Sequence, residues 1–139
     1  MEDNRPTWDQ YFKELVNLTS TRSSCNRLKV GCLFVKDNRI ISQGYNGYIQ
    51  GFKHEPLIEN GHNIGTIHAE QNAILDCAKR GVSCYNCTAY ITHTPCFTCT
   101  KLMIGAGIKE IKYITDYNID NKIYNLANEG NIKIIKLDI

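Results

Sequence analysis

Hydrophobic positions recur along this chain in two periods, and the switching between them sketches the fold. Trp8, Tyr11, Phe12, Leu15, Val16 and Leu18 fall at helical intervals, and Thr7 stands three residues before Gln10 in capping-box spacing. This predicts a first amphipathic helix over residues 8–21, its aromatics serving the core. Two β-rich runs, 30–36 and 39–45, flank Asp37-Asn38 and read as an antiparallel hairpin around a two-residue turn. From residue 46 to 65 the pattern stops. Gly47, Gly51, Gly61, Gly65 and Pro56 among scattered polar residues describe a long loop, and such a loop in a compact domain is usually functional.

The second half alternates helix and strand. Thr66 is the expected N-cap of a helix through Arg80, with Gly81 as its stop, so His68 and Glu70 fall in the first turn. Residues 88–93 are strand by composition. Thr94 is the expected cap of a third helix, with Pro95 in the first position, where a missing N–H does no harm, and Gly105 and Gly107 at its end. Residues 108–115 alternate as a strand, 123–129 form a short helix, and 131–137 a last strand. The strand–helix–strand order implies parallel pairing. The class is α/β: three layers, α/β/α, around a five-stranded mixed sheet in one domain over residues 1–139.

Composition narrows function by exclusion. The formal net charge of +2, with both signs spread along the chain, lacks the basic footprint of a nucleic-acid binder. Met1 to Pro6 contain no apolar signal segment, and no apolar run is long enough to span a bilayer, so neither secretion nor membrane insertion is expected. Seven cysteines, an odd number without a signal, favour a reducing compartment, the cytoplasm.

Candidate chemistry gathers in Thr66-Ile67-His68-Ala69-Glu70 and Thr94-Pro95-Cys96-Phe97-Thr98-Cys99. A His and a Glu two apart, followed later by Pro-Cys-x-x-Cys, resemble the signature of zinc-dependent nucleobase deaminases. In that reading His68, Cys96 and Cys99 are three Zn²⁺ ligands, and the fourth position stays open for water, as a catalytic site requires. Helix mouths favour thiolates, which metal binding needs. Two thiolates and an imidazole neutralise the ion, so its water is acidified less than in a three-His site and a neighbouring base is needed. Glu70 is that base. It takes a proton from water, gives it to N3 of the base, and later hands one to the exocyclic amine as ammonia leaves. The backbone N–H of Ala69 is placed to hold the pyrimidine O2.

Two rivals share these residues. One is a closed structural site on His68, Cys96 and Cys99. The other is a four-cysteine knuckle of a binding module, joining Cys96 and Cys99 to Cys84-x-x-Cys87; a non-catalytic zinc-binding regulatory module is a separate alternative, against which the intact Glu70 stands. The eight mostly strand residues between Cys87 and Cys96 separate the pairs by ~25 Å or more at ~3.3 Å per residue, whereas sulfurs on one zinc lie ~2.3 Å from it. Cys84 and Cys87 therefore read as ordinary thiols.

Beyond the zinc motif, Arg22-Ser23-Ser24-Cys25 through Val30-Gly31, Gly44-Tyr45-Asn46-Gly47 and Ala106-Gly107-Ile108 occur in order with it. Together they resemble the deoxycytidylate (dCMP) deaminase family of the cytidine deaminase superfamily, in its bacterial late-competence-type branch, from about Trp8 onward. The resemblance implies a cytidine deaminase-like fold and conversion of dCMP to dUMP, supplying thymidylate synthesis. It implies that Asn46 meets the sugar 3′-hydroxyl, that Tyr117 covers the nucleotide, and that Arg22, Ser23 and Arg27 are candidates for the phosphate. It further implies a homo-oligomer, a hexamer in many members. Activation by dCTP and inhibition by dTTP would act at the Gly44, Tyr45, Asn46, Gly47 loop, with Mg²⁺ accompanying a nucleotide effector. A second, structural zinc would draw on Cys25, His54 and His62, with Glu55 or Glu59 completing four ligands. Within the superfamily, tRNA adenosine and polynucleotide cytidine deaminases share the zinc motif but call for a basic, aromatic surface.

Overall fold

The computed structural model describes residues 3–139; Met1 and Glu2, at the head of the N-terminal stretch read above, lie outside the described residues. Helix α1 (Trp8–Ser20) opens on the expected capping box: the Gln10 amide donates to Thr7 Oγ1 at 3.2 Å, and the Thr7 amide donates to Gln10 Oε1 at 2.9 Å. Strands β1 (Gly31–Lys36) and β2 (Arg39–Tyr45) follow. Asp37 and Asn38 between them both take positive φ, 51° and 58°, which matches the turn to the right-handed twist of the strands.

The segment expected to be loop throughout contains a small hairpin, β3 (Ile58–Glu59) and β4 (His62–Asn63). Asn60 and Gly61 turn it with φ of 51° and 77°. Asn-Gly is itself a hairpin signal, masked here because each flanking strand is only two residues long.

Next come α2 (Ala69–Arg80), β5 (Thr88–His93), α3 (Phe97–Gly105), β6 (Glu110–Thr115), α4 (Asn121–Glu129) and β7 (Lys133–Lys136). Both central helices start two residues later than the pattern predicts, for a long-range reason. Gly47 and Ile67 exchange backbone hydrogen bonds of 3.1 and 2.7 Å, which hold the chain extended past Thr66. The N-cap is therefore His68, and Thr66 instead donates to the Asn63 carbonyl. Likewise the Thr94 amide donates to the Thr115 carbonyl at 3.0 Å, extending the sheet pairing, so Cys96 and not Thr94 caps α3. The starts of β6, α4 and β7 also differ from the pattern by two residues, the span over which element ends fray.

The five-stranded sheet has the order β2-β1-β5-β6-β7; β1 is antiparallel to β2 and β5, while β5, β6 and β7 run parallel. Strand alternation divides the core in two. Cys32 and Phe34 of β1, Ala89 and Ile91 of β5, and Ile111 and Tyr113 of β6 pack with Ala69, Ala73 and Cys77 of α2 and Met103 of α3. Leu33, Val35 and Tyr90 face the other way and pack with Phe12 and Val16 of α1. This is the expected α/β sandwich with helices on both faces. Among the described residues no helix is long and apolar enough to cross a membrane.

Candidate active site

Three devices press α2 against the sheet and so fix its mouth. Gly44 on β2 leaves room for the helix backbone, since a Cβ there would fall on the Ala69 carbonyl oxygen and the Ala73 nitrogen. Ser42 Oγ lies 2.7 Å from the Ala73 carbonyl oxygen and 2.7 Å from the Asp76 carboxylate. The Asn72 side-chain amide donates to the Tyr45 carbonyl at 2.8 Å. The Gly47–Ile67 bridge then delivers His68 in an extended conformation at the N-cap, its amide accepted by Gln71 Oε1 at 3.0 Å.

From there His68 Nδ1 lies 3.3 Å from Cys99 Sγ and 3.8 Å from Cys96 Sγ, and the three ligand atoms lie within 4.8 Å of one another. Zinc bond lengths of about 2.3 Å to sulfur and about 2.0 Å to nitrogen give tetrahedral N···S edges of about 3.5 Å. The spacing of these atoms brackets that value, and the donor set of one imidazole and two thiols suits Zn²⁺. The residues fit the metal.

Cys96 caps α3 and Cys99 is the third residue of its first turn; the Cys99 amide points at Cys96 Sγ from 3.4 Å. Hydrogen bonds from the Cys99 thiol, the His68 ring and that amide pull the Cys96 thiol down to about 4, against the opposing effect of burial. The Cys96 thiolate in turn, with burial, drives Cys99 upward. Cys96 is thus the more acidic of the pair and Cys99 the holder of the shared proton, which a bound cation would displace. His68 is raised, chiefly through its hydrogen bond to Cys96.

Glu70, at the second position of α2, is buried beside the cluster. Burial lifts its carboxyl above the usual range, with the Cys99 side chain and His68 pulling the other way. A carboxyl so placed can hold a proton and release it.

The residues expected to bind nucleotide are placed unevenly. Tyr117 is exposed on the chain leaving β6, its amide donating to Thr94 Oγ1 at 3.1 Å. Its ring stands edge-on to His93, with centroids 6.1 Å apart at 78°. The sequence reading missed His93; the sign available was an ionisable ring three residues before Cys96. Asn46 Oδ1 accepts from the Val30 amide at 2.9 Å and Nδ2 donates to the Leu28 carbonyl at 2.8 Å, so this amide already ties down the 28–30 segment. Ser23 is buried, donating to the Asn46 carbonyl at 2.7 Å and accepting from the Cys25 amide. Arg22 lies 5.8 Å over the Tyr45 ring, and among the described residues neither Arg22 nor Arg27, both exposed, forms an ion pair.

Among the described residues His68, Cys96 and Cys99 are the one group close enough to share a metal. Cys25, His54 and His62 are not brought together; His54 is exposed and stacks on Tyr48 at 5.1 Å, and Glu55 and Glu59 are exposed as well. Cys84 and Cys87 are buried, Cys84 pointing at the Ala106 carbonyl and the Cys87 thiol pushed up to about 11 by burial. They are core thiols, as expected. A cavity of about 480 Å³ lies at the far end of the sheet, among Trp8, Lys36, Asp37, Asn86 and Lys109, and has no part in this arrangement.

A His–Cys–Cys cluster across two helix mouths, with a buried Glu beside it on a mixed α/β sheet, defines the class of hydrolytic zinc site that deaminates ring amines. Residues 6–115 match the family described as the cytidine and deoxycytidylate deaminase zinc-binding region, and the chain belongs to this family. ComE operon protein 2 of Bacillus subtilis is 40% identical over 97% of this chain and 74% of its own length. The deoxycytidylate deaminase of Schizosaccharomyces pombe is 34% identical over 94% of this chain, which spans only 44% of that protein. A crystal structure of dCMP deaminase from the cyanophage S-TIM5 in complex with dCMP and dUMP matches with a TM-score of 0.85 and 31% identity, over 97% of this chain and all of that one.

Proposed function

We propose that this chain is a zinc-dependent hydrolase that converts dCMP to dUMP and ammonia, supplying dUMP for thymidylate synthesis. The observation that carries the reading is the 3.3 and 3.8 Å spacing of Cys99 Sγ and Cys96 Sγ about His68 Nδ1, with buried Glu70 alongside. Likeness to a nucleotide-bound dCMP deaminase over nearly the whole chain supports the substrate.

His68, Cys96 and Cys99 would hold the metal, which when bound acidifies a water and keeps a position open for it. Glu70 performs the proton work. Its carboxylate removes a proton from water as the oxygen adds to C4 of the base, and delivers that proton to N3. The resulting tetrahedral carbon carries both a hydroxyl and the amine. Glu70 then moves the hydroxyl proton to the amine, the C4–N bond breaks, ammonia departs and the C4 carbonyl forms. The Ala69 N–H faces O2 and orients the ring.

Asn46 retains one amide hydrogen and one carbonyl lone pair for the sugar. With the Ser23 hydroxyl hydrogen committed to Asn46, the phosphate falls to Arg22 and Arg27, whose guanidiniums form no ion pair among the described residues. Tyr117 covers the nucleotide. A homo-oligomer belongs to the same reading. Ile49, Phe52, Leu57, Ile58 and Ile64, all large, apolar and exposed, crowd the segment after Gly44–Gly47 and supply a surface for self-association. That loop would also take dCTP or dTTP, with Mg²⁺. A cytoplasmic setting follows from the thiol-rich sequence.

An absorbance assay with dCMP, CMP, dCTP, deoxycytidine and a single-stranded oligonucleotide tests the reading. Turnover of dCMP ahead of the others is expected; preference for deoxycytidine or the oligonucleotide overturns it.

A further inference from the structure

His93 has no part in the mechanism above, yet its surroundings fix it tightly. It ends β5, opposite Thr115 of β6, and three residues later the chain reaches Cys96. Ala89 and Ile91 on the same strand face α2 and α3, while Tyr90 faces α1. The alternation puts His93 on the α2/α3 face, where both helix mouths and the ligand cluster lie.

The state of the ring follows from its neighbours. The Gly31 amide donates to Thr92 Oγ1 at 3.1 Å, and the same oxygen lies 2.8 Å from His93 Nδ1. Thr92 Oγ1 already accepts from Gly31, and its own hydrogen is free for Nδ1. With Nδ1 accepting that hydrogen, the ring hydrogen sits on Nε2. Burial lowers the tendency of the ring to protonate. Tyr117 packs edge-on against it and is itself anchored by Thr94. The ring is thus held on the sheet face that carries the cluster, against an exposed aromatic ring, with Nε2 free to donate.

We propose that His93 specifies the substrate, its Nε2–H donating to an acceptor oxygen of the pyrimidine nucleotide on the side that Tyr117 covers. This rests on the nucleotide deaminase reading. The acceptor is a ring carbonyl or a phosphate oxygen, which offer the same chemistry.

His93→Phe keeps a ring against Tyr117 and removes the donor, while His93→Gln puts an amide N–H near the place of Nε2. His93→Phe should raise KM for dCMP about tenfold, with a smaller change in kcat, and His93→Gln should recover most of that loss. With deoxycytidine, an equal rise in KM identifies the ring carbonyl and an unchanged KM identifies the phosphate. An unchanged KM for dCMP in His93→Phe, or equal losses in both variants, overturns the proposal. Nitrogen NMR of the wild-type imidazole is an independent readout: hydrogen on Nε2 is expected, and hydrogen on Nδ1 overturns the assignment whether or not dCMP is turned over. If wild type deaminates no dCMP, the substrate reading fails. Calorimetry of dUMP binding then decides for His93, with equal Kd in wild type and His93→Phe overturning its role.

Discussion

His68 and Cys99 are 31 residues apart in sequence, yet Nδ1 of one stands 3.3 Å from Sγ of the other across the mouths of α2 and α3. With Cys96 they make a three-donor set whose spacing suits one zinc ion. The purified protein should therefore hold close to one zinc per chain by elemental analysis. Cys99→Ser should drop that toward zero and abolish turnover, because a neutral hydroxyl is a poor replacement for a thiolate. Two zincs per chain, with one surviving in Cys99→Ser, would mean that Cys25, His54 and His62 gather a second ion.

Glu70→Gln preserves the shape of the side chain and removes its proton chemistry. We expect zinc content to stay at the wild-type level while kcat falls by roughly 10²–10⁴, the usual range for loss of a general acid–base group. Retained kcat would remove Glu70 from the mechanism, and lost zinc would make its role one of holding the site together.

Gly44 belongs to the motif through which family resemblance suggests an effector loop, but its contacts make it a packing residue first. A Cβ there meets the α2 backbone at Ala69 and Ala73, where nothing flexible can give way. Gly44→Ala should destabilise the fold by about 1–3 kcal/mol, the range for overpacking, as a lowered midpoint in urea unfolding. An unchanged midpoint would show that α2 can lift from β2 freely.

Much of this was legible in the chain itself. The first capping box, the Asp37-Asn38 hairpin, the helix–strand alternation and the ligand set all rest on local spacing, and local spacing is what a sequence displays. The starts of α2 and α3 lie later than local spacing predicts because long-range pairs set them: Gly47 with Ile67, and Thr94 with Thr115. Threonine before an apolar run looks like a cap until a distant strand claims its backbone. Asn46 shows the same limit, since nothing nearby says that its amide holds Leu28 and Val30. His93 was invisible for a different reason. A lone histidine at a strand end acquires meaning only from Thr92, Gly31 and Tyr117, which the fold alone assembles.

One polar cluster, away from the zinc site, ties α1 to the sheet and sets a pH dependence. Asp9 accepts a hydrogen bond from the Tyr90 hydroxyl at 2.5 Å and pairs with Lys112 Nζ at 2.8 Å. Burial alone would raise the Asp9 carboxyl, but those two partners outweigh it and hold it below its ordinary value of 3.8. A depressed carboxylate stabilises the fold above that ordinary value, and the contribution is lost as pH falls through the depressed one. Tyr90 and Lys112 work at the other end of the scale. Burial and Asp9 raise Tyr90 above its usual 10.0, and Asp9 and Glu110 raise Lys112 above 10.5 despite burial. A raised pKa places both contributions below those values, to be lost as pH climbs past them. Thermal melts of wild type and Asp9→Asn across pH should therefore differ most on the neutral plateau. The gap should narrow below pH ~4, where the wild-type carboxylate takes up its proton. A gap that stays constant into acid would show that Asp9 acts through packing of α1 and not through its charge.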